Sequence, residues 1–242
     1  MPPVVKPEPG QPVTFLDIMK VYRRTFTTYY PLGSTQINSC IPPITDARLQ
    51  VVADLITVSA SANGLDPLYL LSVSYQESCW SENTINHNLK ATNPTPSFRT
   101  TDFGLCQFSG SFLSTKPGMA GLTENQMVAK VMMGEYSVPA MAQMYAANIK
   151  WATKTLASDN ALLSLVIKLN ITHLTNEQFL ACTAYNKGNS GALDAIRKLD
   201  YSRLNHPFKC AQHYDNFCKA LMGVTPGKSL ALDEPLGEHE PR

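Results

Sequence analysis

Leu65-Asp-Pro-Leu-Tyr-Leu-Leu-Ser-Val-Ser-Tyr-Gln-Glu-Ser-Cys-Trp80 decides how this chain is read. Asp66 and Pro67 announce a helix: an aspartate at the N-cap accepts an orphan backbone N–H, and a proline in the first turn has its φ preset and lacks a donor that would be unpaired there anyway. At about 100° per residue, Leu70, Val73, Ser74 and Glu77 fall on one side, so the acid continues the stripe that Leu70 and Val73 bury. Glu77 is therefore expected in partly apolar surroundings at the negative end of the helix dipole. Desolvation and the dipole both disfavour the ionised carboxylate, which is how a glutamate is kept ready to act as a general acid.

Composition bounds the rest. The chain has 242 residues, 44% hydrophobic and 16% charged, enough for one sizeable core and far from a disordered composition. A formal charge of +1 leaves no basic stripe for nucleic acid. No apolar run approaches the roughly 18 residues of a membrane span, so no membrane insertion is expected. The N-terminal residues, with prolines at 2, 3, 7, 9 and 12, show no apolar segment after a charged start, so no signal peptide is expected.

The six cysteines are not needed to hold a core of this size. If residues 207–222 form one helix, Cys210 and Cys218 lie about 12 Å apart along its axis, too far for a disulfide. The cysteines and histidines show no Cys-x-x-Cys or tight Cys/His spacing, so no metal and no cofactor are expected. His173, His206 and His213 read as surface or capping residues.

In chain order, residues 1–12 form a proline-rich docking arm. Residues 13–45 hold a first amphipathic helix, carrying Phe15, Ile18, Met19, Tyr22 and Phe26, and a linker. Thr45 caps a second helix that stops at Asn63-Gly64. Residues 81–101, rich in asparagine and proline, read as loop. After them Leu105, Gln107 and Phe108 alternate as the one short strand or hairpin, with Gly104 permitting an unusual backbone path. The remainder reads as helical: capping boxes begin at Thr123 and Thr175, a methionine-striped helix covers 139–156, a short apolar helix covers 160–169, Gly188 ends one helix and Ser190 starts the next, and a last helix begins near Pro207. Residues 46–223 form the main domain and 224–242 a flexible acidic tail. The class is mainly α, with one small hairpin or loop insertion.

Three motifs stand in order: Glu77-Ser78, Gly104-Leu105-Cys106-Gln107, and Ala184-Tyr185-Asn186-Lys187-Gly188. Together they resemble the soluble lytic transglycosylases, whose pattern is Glu-Ser, Gly-Leu-Met-Gln and Ala-Tyr-Asn-x-Gly. The run from Ile85 to Asn88 before Asp102-Phe103-Gly104-Leu105 is similar to the small wall-piercing members of secretion machines and phage particles. The resemblance covers about residues 46–200. Cys106 stands where the family has methionine, and the interval between Glu77 and Gln107 is longer than in compact members.

The resemblance implies a lysozyme-like α+β fold and cleavage of the MurNAc–GlcNAc β-1,4 bond of peptidoglycan, with 1,6-anhydro-MurNAc as product. Glu77 would be catalytic, Tyr185 would hold it through its hydroxyl, and Ser78, Gln107, Phe108, Tyr185 and Asn186 would contact the glycan strand. A glycosidic oxygen leaves only when protonated, and the resulting carboxylate can then take a proton from the attacking hydroxyl, so one glutamate serves both steps. A goose-type-like lysozyme would need a second carboxylate, for which Glu82 and Asp102 are candidates. A virion protein that binds the wall without turnover is the third reading. The expected setting is a phage virion or tail acting on the bacterial cell wall and periplasm, with arm and tail docked on other virion proteins.

Overall fold

The computed structural model describes residues 13–26, 45–82, 84–87 and 97–223. The proline-rich arm, most of the linker, Asn83, Asn88 and the acidic tail lie outside the described residues. The described chain is mainly helical with a small antiparallel sheet. Its elements are α1 (Phe15–Phe26), α2 (Asp46–Ala62), α3 (Pro67–Ser78), β1 (Ile85–His87), β2 (Thr101–Phe103), β3 (Phe108–Ser109), α4 (Gly110–Leu113), α5 (Glu124–Val131), α6 (Gly134–Ser158), α7 (Asn160–Lys168), α8 (Asn176–Arg197) and α9 (Tyr201–Leu221).

The helix starts follow their capping residues. Asp66 accepts from the Leu68 amide at 2.8 Å and Thr45 from that of Arg48 at 3.2 Å, while Thr123 with Gln126 and Thr175 with Gln178 close reciprocal capping boxes. Gly64, at φ 64°, supplies the left-handed step after α2. In α8, Gly188 takes φ 69° and ψ 164°, so the run is two helices joined across a break, as its glycine foretold.

α3 differs from the one-sided stripe expected of it, because every residue from Leu68 to Tyr75 is buried. It packs between α2 and α9, and two of its buried serines are satisfied within the helix: Ser72 donates to the Leu68 carbonyl at 2.7 Å and Ser74 to that of Leu71 at 2.9 Å. α1 covers the same core with Ile18, Met19 and Tyr22. A second, smaller core forms where the end of α6 meets α7, α8 and the start of α9, around Leu156, Leu162, Phe179, Ile196 and Leu204.

The sheet corrects the loop reading of residues 81–101 and the placement of the strand. β1 lies inside that supposed loop and pairs with β2, Asn86 opposite Asp102, and β2 pairs with β3, Phe103 opposite Phe108. Leu105 and Gln107 are in the connecting turn rather than in a strand. α6 starts at Gly134 and α9 at Tyr201, five and six residues before the expected starts, so that Pro139 and Pro207 sit inside helices after the first turn.

His213 is a core residue, contrary to the surface role expected of it. It is 4% exposed, its ring meets Tyr75 edge-on at 4.7 Å, and its Nε2 lies 3.1 Å from Gln76 Oε1. Burial first, then Lys209 and His206, push it down to about 3. A depressed histidine stabilises the fold fully above its unfolded value near 6.5, and this contribution drains away as pH falls from there through the folded value. Between pH 7 and 5 the loss is about 2 kcal/mol. Urea unfolding should show it, and His213→Phe should flatten the slope. Equal slopes in both proteins would remove His213 from the account.

Candidate functional site

Glu77 sits in the last turn of α3, where the chain leaves the helix through two consecutive left-handed residues, Cys79 at φ 54° and Trp80 at φ 63°. Non-glycine residues hold this conformation only when their surroundings fix it. Trp80 provides the fixing: it is fully buried, and its indole N–H donates to the Leu71 carbonyl and to Ser74 Oγ, both at 3.1 Å. The exit from α3 is thus anchored back onto α3 itself.

Glu77 does not face the apolar wall expected of it. Its Oε1 lies 2.8 Å from Nε2 of His206, the side chains being 9% and 12% exposed respectively. Burial alone would lower the histidine, but the Glu77 carboxylate and then the Cys182 sulfur outweigh it and hold His206 up at about 10. The imidazolium therefore forms a shielded ion pair with Glu77, and His206 is neither surface nor cap.

The Gly104–Gln107 turn is tied to Tyr185. Gly104 has φ 74°, and a Cβ there would come within 2.4 Å of the Val131 carbonyl oxygen, so glycine is required twice over. Gln107 uses its amide within the turn, donating to the carbonyls of Gly104 at 2.8 Å and Thr84 at 3.3 Å. The Tyr185 hydroxyl donates to the Cys106 carbonyl at 2.7 Å and not to Glu77, which corrects the role implied for it. Its ring stacks on Tyr145 at 4.6 Å. Burial, then Cys106, then Glu77 raise this phenol well above its ordinary value, so it remains a donor. Tyr185→Phe should cost about 1–2 kcal/mol in denaturant unfolding, the cost of orphaning that carbonyl. A cost of zero would mean that the turn does not depend on the bond.

The other expected contact residues divide. Asn186 is exposed beside Tyr185. Ser78 and Phe108 are buried, at 2% and 3% exposure, and so are not presented to a ligand. Asp102 is half-buried in the central strand. Glu82 is committed elsewhere: it takes a forked pair of bonds from Arg48 at 2.5 and 2.6 Å and accepts the Gly134 amide at 2.6 Å, while Arg48 reaches Glu135 as well. Such a bidentate clamp fixes α2 to the start of α6 and occupies both carboxylate oxygens.

Behind His206 lie residues that sequence spacing missed. Its Nδ1 is 3.5 Å from Cys182 Sγ and 3.9 Å from Cys210 Sγ, and the two sulfurs are 3.1 Å apart. Both thiols are fully buried, which bars them from attacking a bulky substrate. The one signal available in the sequence was the four-residue step from His206 to Cys210, which places both on one helix face; Cys182 arrives from α8.

Among the described residues a cleft of about 210 Å³ opens beside α9, lined by residues that include Asn170, His173, Phe208 and Asp215, but not by Glu77, Gln107 or Tyr185. His173 is at this surface, as expected, and pairs with Asp215 at 3.2 Å. No helix among the described residues is long and apolar enough to cross a membrane. Compared with known proteins, the chain matches no family model and no curated protein, and its structure matches no solved structure.

Proposed function

We propose that this chain is a peptidoglycan lytic transglycosylase in which Glu77 acts first as acid and then as base. The observation that carries the reading is the convergence of three segments far apart in sequence. Tyr185 donates to the Cys106 carbonyl of the Gly104–Gln107 turn at 2.7 Å, and Glu77 adds to burial in raising both the Cys106 thiol and the Tyr185 phenol. His206 fixes one carboxylate oxygen through Nε2–H and leaves the other for the sugar.

In the proposed reaction, covering by the sugar favours the uncharged form of the pair, with the proton on the outer oxygen of Glu77 and His206 neutral but still donating through Nε2–H, and Glu77 gives that proton to the glycosidic oxygen as the bond to C1 of N-acetylmuramic acid breaks. The carboxylate then removes the proton of that sugar's C6 hydroxyl as its oxygen closes on C1, giving the 1,6-anhydro ring without water. The internal hydroxyl is held against the reacting carbon at high effective concentration, so no second carboxylate is required. The engagement of Glu82 by Arg48 supports this over hydrolysis, because a base committed to a bidentate clamp is not free to activate water.

Mass spectrometry of digested cell wall tests the reading. Anhydro ends are the expected product, reducing ends would replace it with a goose-type-like hydrolase, and no product would leave a wall-binding structural protein. Delivery to the wall by a phage virion belongs to the same proposal, with the arm and tail as docking segments; absence of the chain from purified virions would remove that part alone.

A further inference from the structure

We propose that Cys182, Cys210 and Nδ1 of His206 bind one thiophilic d10 metal ion, zinc(II) or copper(I), at the meeting of α8 and α9 behind the catalytic carboxylate. All three donor atoms lie within 4.8 Å of one another. A tetrahedral zinc with sulfur at about 2.3 Å and nitrogen at about 2.05 Å needs about 3.8 Å between sulfurs and about 3.6 Å between sulfur and nitrogen. The observed nitrogen–sulfur distances of 3.5 and 3.9 Å meet this, and the sulfur pair at 3.1 Å has to open by a fraction of an ångström.

The chemistry of the surroundings agrees. Two buried sulfurs and an imidazole are a soft donor set suited to these ions. The other ring nitrogen, Nε2, keeps its proton and donates it to Glu77, and a carboxylate on the far side of a ligating histidine fixes the tautomer that leaves Nδ1 free to ligate. Both thiol protons and the Nδ1 proton of His206 depart to solvent on binding. The rings of Tyr69 and Tyr145, edge-to-face at 5.5 Å, belong to the same buried environment. Copper(I) is satisfied by three donors; zinc takes a fourth, and the Tyr145 hydroxyl lies 4.0 Å from Cys182 Sγ. A bare disulfide between the two sulfurs would leave the approach of Nδ1 to both without a purpose.

The test uses the full chain, produced with zinc and copper in the medium and purified without oxygen under a non-chelating phosphine reductant. Elemental analysis should find about one ion per chain, the element deciding between zinc and copper. Chelation followed by cobalt(II) titration should give thiolate-to-cobalt charge-transfer bands. Cys182→Ser and Cys210→Ser should each weaken cobalt affinity at least about tenfold, with Cys79→Ser unchanged and circular dichroism confirming folded protein. If the serine variants do not fold, the wild-type cobalt spectrum decides alone, and bands lacking sulfur charge transfer overturn the site. Folded protein without metal and with both thiols free overturns it too, as does a chain about 2 Da lighter whose two thiols are lost to a disulfide.

Discussion

Glu77→Gln should lower wall lysis at least about a hundredfold, the scale on which a positioned proton donor contributes. The amide retains the shape and can still accept from His206 Nε2–H at the position where Oε1 now lies 2.8 Å away, but it can neither give a proton to the leaving oxygen nor take one from the C6 hydroxyl. It also leaves the imidazolium without its counter-charge in a poorly solvated place, so folding should survive with a loss of about 1–3 kcal/mol. Asp102→Asn should cost far less activity, since Asp102 is a strand residue set opposite Asn86 and Ser109. Turbidity clearance on both variants, with circular dichroism and urea unfolding alongside, separates the possibilities. Clearance near wild type by folded Glu77→Gln would end the assignment, and equal losses in both variants would move it to a two-carboxylate hydrolase.

Trp80→Ala should be the most damaging single change to the fold, at about 3–5 kcal/mol. The ring is fully buried and packs against Tyr75 at 4.6 Å and Phe217 at 5.7 Å, so its removal opens a cavity joining α3 to α9. Its indole also carries the bonds that secure the left-handed exit after Glu77. Lysis should therefore fall even under conditions where the variant remains folded, because the residue three positions earlier loses its fixed aim. Denaturant unfolding measures the first effect and clearance at low temperature the second; a cost below about 1 kcal/mol would show that the exit is held by other contacts.

What could be read in the sequence was what is decided within a few residues. Asp66, Thr45, Thr123 and Thr175 each cap through a partner two or three positions ahead, so donor and acceptor appear together in the string. Gly188 announced the break in α8 for the same reason. The errors lie where distant segments decide. β1 is three residues long and exists because β2 pairs with it, which no local period reveals. His206 reaches Glu77 across 129 positions, and Cys182 reaches Cys210 across 28. α3 reads as one-sided because Leu70, Val73, Ser74 and Glu77 recur at helical spacing; burial on every side is tolerated since Ser72 and Ser74 bond back to their own helix.

An α3 without a solvent face has a mechanical meaning for Glu77. A helix enclosed by neighbours cannot shift without opening them, so its amides should be among the slowest to exchange with deuterium, and Glu77 is mounted on the end of that stiff rod. The segment that carries Tyr185 and Asn186 is built differently. Tyr185 and Asn186 stand just ahead of the break at Gly188, where the backbone is out of helical register and the surface is open. On the proposed function, accommodation of a glycan strand falls to that segment, while the carboxylate keeps a fixed position against which the sugar is brought to bear.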